Sequence, residues 1–214
     1  MTERITERIG VTELRDRLLG WGPGARRIVA IAGPPGSGKS TTAEKIVRAI
    51  NRARPGAAAL LPMDGFHFDD AVLREMKRLP WKGAPDTFDV GGLRATLERL
   101  RRNDEDKVAV PVFDRSIEIA RAGGRLIARS ADIIVCEGNY LLLNRAPWSS
   151  LAPYFDLRVL IEVSEKILRE RLRRRWEGFG LDEAGIRRKL DENDLPNGRA
   201  VMQDSAGADL ILTT

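Results

Sequence analysis

Residues 27–42 read RIVAIAGPPGSGKSTT, and three successive parts of that stretch decide the fold. The apolar, β-branched run Ile28 to Ile31 predicts a buried strand that stops at Gly33. Gly33, Pro34, Pro35, Gly36, Ser37, Gly38, Lys39 and Ser40 then match G-x-x-x-x-G-K-[ST], with Thr41 just beyond. Ala43, Ile46, Val47 and Ile50 follow at helical spacing. Strand, glycine turn and helix is the setting a phosphate-binding loop requires. The glycines let successive backbone N–H groups turn inward as an anion nest, and the helix adds its positive N-terminal end. Residues 33–41 are therefore expected to bind a nucleoside triphosphate. Lys39 would reach its β- and γ-phosphates, and the Ser40 hydroxyl would ligate Mg²⁺.

Working outward, Ala57 to Leu61 predicts a second strand ending in Pro62-Met63-Asp64-Gly65-Phe66-His67. A strand–helix–strand unit of this length pairs its strands in parallel, and ligands gather at the carboxyl ends of such strands. Asp64 then shares an edge with Lys39. A carboxylate there can orient an acceptor hydroxyl and take its proton, although an aspartate before glycine is also an ordinary turn residue. His67, the one histidine in the chain, reads either as a packed ring or as a substrate contact offering one donor and one acceptor. Ala131 to Tyr140 predicts a further buried strand that delivers Glu137 to the same edge, opposite Ser40, as the second protein ligand for Mg²⁺.

Leu157 to Val163 predicts the next strand, followed by a helix from Ser164 to Trp176 whose LRERLRRRW is the densest charge in the sequence. Ile167, Leu168 and Leu172 mark its packed face, and Arg171, Arg174 and Arg175 share a flank. An arginine run is usually a solvated face. After the fourth parallel strand of a phosphate-loop fold it also suits a lid, about 168–185, whose Arg171 and Arg174 stabilise charge on a transferring phosphoryl group. Gly178 and Gly180 are breakers suited to a moving element.

The remaining segments fill in around these. Thr12 to Leu19 predicts a short amphipathic helix, and residues 1–24 form an N-terminal helix and turn packed on one kinase-sized domain, 25–214. Residues 69–78 and 90–100 read as helices, and 108–130 as a small hairpin or lid-like insertion in which Pro111 marks an edge strand or bulge. Residues 182–192 read as a helix, 193–198 as a turn-rich loop, and Ala208 to Leu212 as a last strand.

Composition narrows the classes. The 214 residues, 43% hydrophobic and 31% charged, suit one globular domain. The formal charge of +5 suits anionic ligands, but no basic aromatic stripe of the kind that binds nucleic acid is present. A single cysteine, Cys136, excludes an intrachain disulfide and a cysteine-cluster metal site. The charged start MTERITERIG gives no signal peptide, and no apolar run approaches membrane-spanning length, so a cytoplasmic protein is expected.

GPPGSGKST, MDGFHF, KGAPDTFDV, PVFDRSIEIAR, IVCEGNYLLL and NDLPN, in this order and spacing, resemble the uridine kinase, pantothenate kinase and phosphoribulokinase group. The similarity is greatest to its bacterial branch of nucleoside-kinase-like proteins, some of them described as fructose-transport-associated sugar kinases, and it runs from Arg27 almost to the end of the chain. It implies a three-layer α/β P-loop fold of the nucleoside-kinase type: a parallel five-stranded sheet ordered 2-3-1-4-5, helices on both faces, and an arginine lid. It supports Asp64 as base and Glu137 as the metal-side carboxylate. It also implies that Lys82, Asp86, Asp114, Arg115 and Arg121 line the acceptor pocket. Uridine kinases carry an aromatic residue in place of His67 and a histidine in place of Glu118. These exchanges remove the groups that would read a pyrimidine and favour a polyol or sugar.

The expected activity is Mg-dependent phosphoryl transfer from ATP to a hydroxyl of a small metabolite, a sugar such as fructose being favoured. Nucleoside or pantothenate phosphorylation is the alternative within that class. A nucleotide-dependent switch is the alternative from another class, but the Asn-Lys-x-Asp guanine motif of a GTPase is absent. No nucleic-acid or membrane partner is expected, and homodimer formation stays open.

Overall fold

The computed structural model describes residues 6–205 and 207–213. The first five residues of the 1–24 segment and Thr214 lie outside that range.

The chain begins with β1 (Glu7–Ile9) and α1 (Val11–Leu19), then enters β2 (Arg27–Ala32) and α2 (Lys39–Ala53). Next come β3 (Ala58–Pro62), α3 (Asp70–Glu75) and α4 (Val90–Arg102). A hairpin of β4 (Lys107–Asp114) and β5 (Ile119–Ala128) precedes β6 (Ile133–Gly138) and β7 (Leu157–Glu162). The chain closes with α5 (Glu165–Gly178), α6 (Glu183–Lys189), a π-helical turn (Leu190–Asp194), α7 (Leu195–Asp204) and β8 (Leu210–Thr213).

The main sheet has six parallel strands in the order β1-β8-β7-β2-β6-β3. Counted from the phosphate-loop strand, the five strands apart from β1 run 2-3-1-4-5, as expected. The sixth is a correction. Glu7–Ile9 adds to the edge as a three-residue strand, registered Glu7 to Leu210. Of the three side chains Ile9 alone is buried, so the strand is held by its backbone ladder and left no apolar run in the sequence.

Alternation along β2 divides the interior in two. Ile28 and Ala30 face a core with Leu93, Leu97 and Leu100 of α4 and Ile134 and Cys136 of β6. Val29 and Ile31 face the opposite core with Ile46 and Ile50 of α2 and Leu14 and Leu18 of α1. Both faces are covered, so β2 and β6 read as nearly continuous apolar runs. Leu168, Leu172, Ile186, Leu190 and Leu195 make a third, smaller core among α5, α6, the π-helical turn and α7.

One local feature departs from the sequence reading, and a second, the hairpin with its bulge at Pro111, follows it. Residues 193–198, expected as a loop, lie in the π-turn and the start of α7. Pro196 falls in the first turn of that helix, where its missing N–H costs no hydrogen bond. The β4–β5 hairpin forms a two-stranded sheet of its own, with a register shift around Pro111. It docks on the main sheet through Arg125, whose Nη1 donates to Leu60 O at 2.8 Å, and by close approach to Gly65. A Cβ on Gly65 would overlap the Pro111 carbonyl, so that approach needs glycine.

Candidate active site

The phosphate loop links β2 to α2. Gly36 and Gly38 adopt φ of 79° and 85°, the left-handed backbone that folds a nest, and Gly38 caps α2 with no side chain in the way. Lys39 is 9% exposed and makes no hydrogen bond or ion pair with any described residue. Burial lowers its pKa, against the pull of Glu137 and Asp64. A buried cation with no direct ion pair or hydrogen bond to a described residue, at a helix N-terminus, fits the phosphates of a nucleotide.

Glu137 ends β6 beside this loop, because β6 pairs with β2 through Ile31–Glu137. The Ser40 hydroxyl donates to Glu137 Oε2 at 3.0 Å. Burial, with Asp64 adding repulsion against the Lys39 attraction, raises the Glu137 pKa to about 7. A hydroxyl and a buried carboxylate side by side are hard oxygen donors, and with phosphate oxygens and water they fit Mg²⁺.

Asp64 lies in a 3₁₀ turn (Met63–Phe66) directly after β3, and its carboxylate is ion-paired with Arg115 at the hairpin tip. Burial alone would raise its pKa, but the surrounding positive charge outweighs that and holds it below the ordinary aspartate value. His67 is also held low, by burial first, so its ring is neutral near pH 7 and the standing cations at Asp64 are Arg115, Lys39 and Arg175. His67 Nδ1 lies 2.7 Å from the Asp64 carbonyl oxygen, which fixes Nδ1 as the donor and leaves Nε2 as an acceptor. The ring sits between Phe88 and Phe113, at centroid distances of 4.0 and 4.7 Å. Lys82 Nζ donates to Asp70 Oδ1 at 2.6 Å and to the Glu118 carbonyl. Glu118 is held at φ 53°, left-handed backbone that a non-glycine residue adopts at a cost on the order of 1–3 kcal/mol.

One cavity of about 460 Å³ joins these groups. Pro35, Gly36, Gly38, Lys39, Ser40 and Thr41 line its nucleotide end, and Asp64, His67, Lys82, Arg115 and Glu118 its acceptor end. Gly33, Pro34 and Ser37 form the back of the loop, and Glu137 lies behind Ser40.

Besides those four, five further expected residues do not line this cavity. Asp86 pairs with Arg78 at 2.7 Å and borders a separate outer depression. Asp114 accepts from Ser116 and pairs with Arg121 at 3.3 Å. Phe113 and Arg115 face the cavity, so strand alternation turns Asp114 away. Arg171 donates to the carbonyls of Gly36 and Ser37, at 3.4 and 3.3 Å, and braces the loop from outside. Arg174 is exposed, and its neighbour Arg175, a further ~100° around the helix, enters the cavity instead.

Sequence reasoning passed over Asp70, Asn139, Arg175, Trp176, Lys189 and the residues of NDLPN as site groups, all of which reach the cavity wall except Leu195 and Pro196. Trp176 Nε1 donates to Asp194 Oδ2 at 2.7 Å, Asn197 donates to Asn193 at 2.9 Å, and Asn193 to the Lys82 carbonyl at 3.3 Å. The NDLPN spacing was the available signal: Asn193 and Asn197 stand four apart, hence on one face of a helix.

Residues 28–197 match the model of the Phosphoribulokinase / Uridine kinase family. An Escherichia coli protein, "Uncharacterized protein YggC", is 35% identical over 196 residues, covering 89% of this chain and 78% of its own. A Schizosaccharomyces pombe protein, "Putative uridine kinase C227.14", is 30% identical over 195 residues, covering 87% and 83%. Among solved structures, a "putative fructose transport system kinase" from Silicibacter sp. TM1040 superposes with a TM-score of 0.86 at 35% identity, covering 96% of this chain and 99% of that one.

Proposed function

The chain belongs to the phosphoribulokinase/uridine kinase family, and from that premise we propose that it phosphorylates a hydroxyl of a small polyol, most simply a sugar such as fructose. It is a P-loop small-molecule kinase, and kinases of this family use ATP with Mg²⁺. The phosphate loop and Lys39 would hold the triphosphate, and Ser40 and Glu137 would hold Mg²⁺, which would neutralise phosphate charge there. Asp64 accepts the proton of the attacking hydroxyl. Arg175 and Lys39 face the oxygens on which negative charge collects.

The observation that carries the choice of acceptor is His67. Its Nδ1 is committed to the Asp64 carbonyl, so a neutral ring offers the cavity a lone pair at Nε2. With the Glu118 carboxylate on the same wall, the acceptor end is rich in groups that take hydrogen bonds from hydroxyls. Phe88 and Phe113 favour a second reading, a nucleoside, because their rings could stack on a base. In the proposal the protein works in the cytoplasm; no helix among the described residues is long and apolar enough to cross a membrane.

An ADP-release screen across sugars, nucleosides, pantothenate and glycerate tests this, with Lys39→Ala as the blank. A ketose or other polyol is expected to exceed uridine and cytidine in kcat/KM. A higher value for uridine would overturn the argument from His67 and Glu118 and select the nucleoside reading.

A further inference from the structure

Arg175 reaches the cavity half-buried, with no hydrogen bond or ion pair to any described residue. Burial lowers its pKa first and the Arg115 charge next, while Asp194, Asp64 and Glu118 pull the other way. An unpaired, partly desolvated guanidinium is costly unless something orients it and an anion completes it.

The orienting group is Trp176. The Arg175 guanidinium lies over the indole at 5.1 Å from its centroid, and Lys189 Nζ approaches the same ring at 5.5 Å. The far edge of the indole is pinned, because Nε1 donates to Asp194 Oδ2 at 2.7 Å. Asp194 is 8% exposed and closes the π-helical turn, in which Leu195 N–H reaches back to Leu190 O. A π-turn adds one residue to the helical repeat, and here it places a carboxylate at Trp176 ahead of α7.

We propose that Asp194 is a positioning residue. Through its hydrogen bond it fixes Trp176 as a platform that holds the Arg175 guanidinium open toward the terminal phosphate of the nucleotide. Stacking, unlike an ion pair, leaves the donors of Arg175 unused, so they are available to phosphate oxygens. The assignment rests on the kinase reading above but not on the identity of the acceptor.

The test is calorimetric titration of Mg·AMP-PNP and of Mg·ADP into the full chain and its variants, without acceptor. The readout is the ratio of the two affinities, which isolates the terminal phosphate. Arg175→Ala should cut that ratio about 10-fold or more, as for loss of a hydrogen bond between charged groups. Trp176→Phe and Asp194→Ala should each cut it about 3- to 10-fold with Mg·ADP affinity unchanged. Asp194→Asn, which keeps an oxygen for the indole N–H, should restore most of it. A wild-type ratio in both Trp176→Phe and Asp194→Ala would overturn the proposal, and Trp176→Phe alone decides it if Asp194→Ala fails to fold. A wild-type protein that bound neither nucleotide would overturn the kinase reading itself.

Discussion

The guanidinium of Arg115, at the tip of the β4–β5 hairpin, closes on the carboxylate of Asp64, at the end of β3. In the proposed reaction, the residue that takes the hydroxyl proton is thus covered by a cation from a separate sheet, which favours its ionised form.

Replacing Asp64 by Asn keeps the side chain's shape and removes the proton acceptor. A fall in kcat of about 10²–10⁴-fold is expected, with Mg·ATP affinity close to wild type because Lys39, Ser40 and Glu137 are untouched. Steady-state kinetics beside calorimetry will show it. Undiminished turnover would leave Asp64 as a turn residue.

Arg115→Ala acts on the same carboxylate through charge. Arg115 is among the groups holding Asp64 below the ordinary aspartate value, so its loss raises that pKa. A base is inactive when protonated, so the acidic limb of the kcat/KM profile should move to higher pH. An unmoved limb would show that Arg115 does not set the ionisation of Asp64 in the free enzyme, or that the limb belongs to another group.

Glu137 governs the stability of the metal-free protein. Its pKa is raised from 4.5 to about 7, so the folded chain binds more protons than the unfolded chain between those values. Its contribution to stability is therefore most favourable at low pH and is lost as pH climbs through that window. In EDTA, Glu137→Gln should melt higher than wild type at pH 8, with the difference shrinking towards pH 5. Parallel melting curves across the range would contradict the buried, cation-hungry carboxylate described here.

Gly65→Ala tests how the hairpin reports to the base. The new methyl meets the Pro111 carbonyl, which belongs to backbone and cannot swing aside. A loss of about 1–3 kcal/mol in denaturant unfolding is expected, together with a drop in kcat as the Asp64 turn shifts. A variant as stable and active as wild type would show that the hairpin rides freely over the turn.

How much of this was legible followed from the range of the interactions involved. The phosphate loop was readable because strand, glycines, Lys39 and helix are contiguous. Asp64 and Glu137 were readable because parallel strands bring their carboxyl ends to one edge. The choice of Arg175 over Arg174 was not, since it depends on the helical phase that Leu168 and Leu172 set against the third core. The family resemblance placed Asp114 and Arg121 in the acceptor pocket, yet strand alternation turns Asp114 outward into a pair with Arg121. The helical state of Asn193 and Asp194 was hidden by the turn-forming composition of NDLPN, which a π-turn and a first-turn proline accommodate. The edge strand β1 was hidden because its stabilising partner, Leu210–Leu212, lies at the other end of the sequence.

The hairpin shares no ladder with the main sheet, yet it supplies Phe113, Arg115 and Glu118 to the acceptor end. The acceptor end is consequently shared between the hairpin and the segment after β3, which supplies Asp64 and His67, whereas the phosphate loop is one contiguous stretch. If the proposed acceptor end is right, drift in residues 113–118 would retune part of it while the loop around Lys39 is left alone. A lineage built this way can diversify its menu by rewriting one short tip, and grafting that tip between relatives is the engineering counterpart.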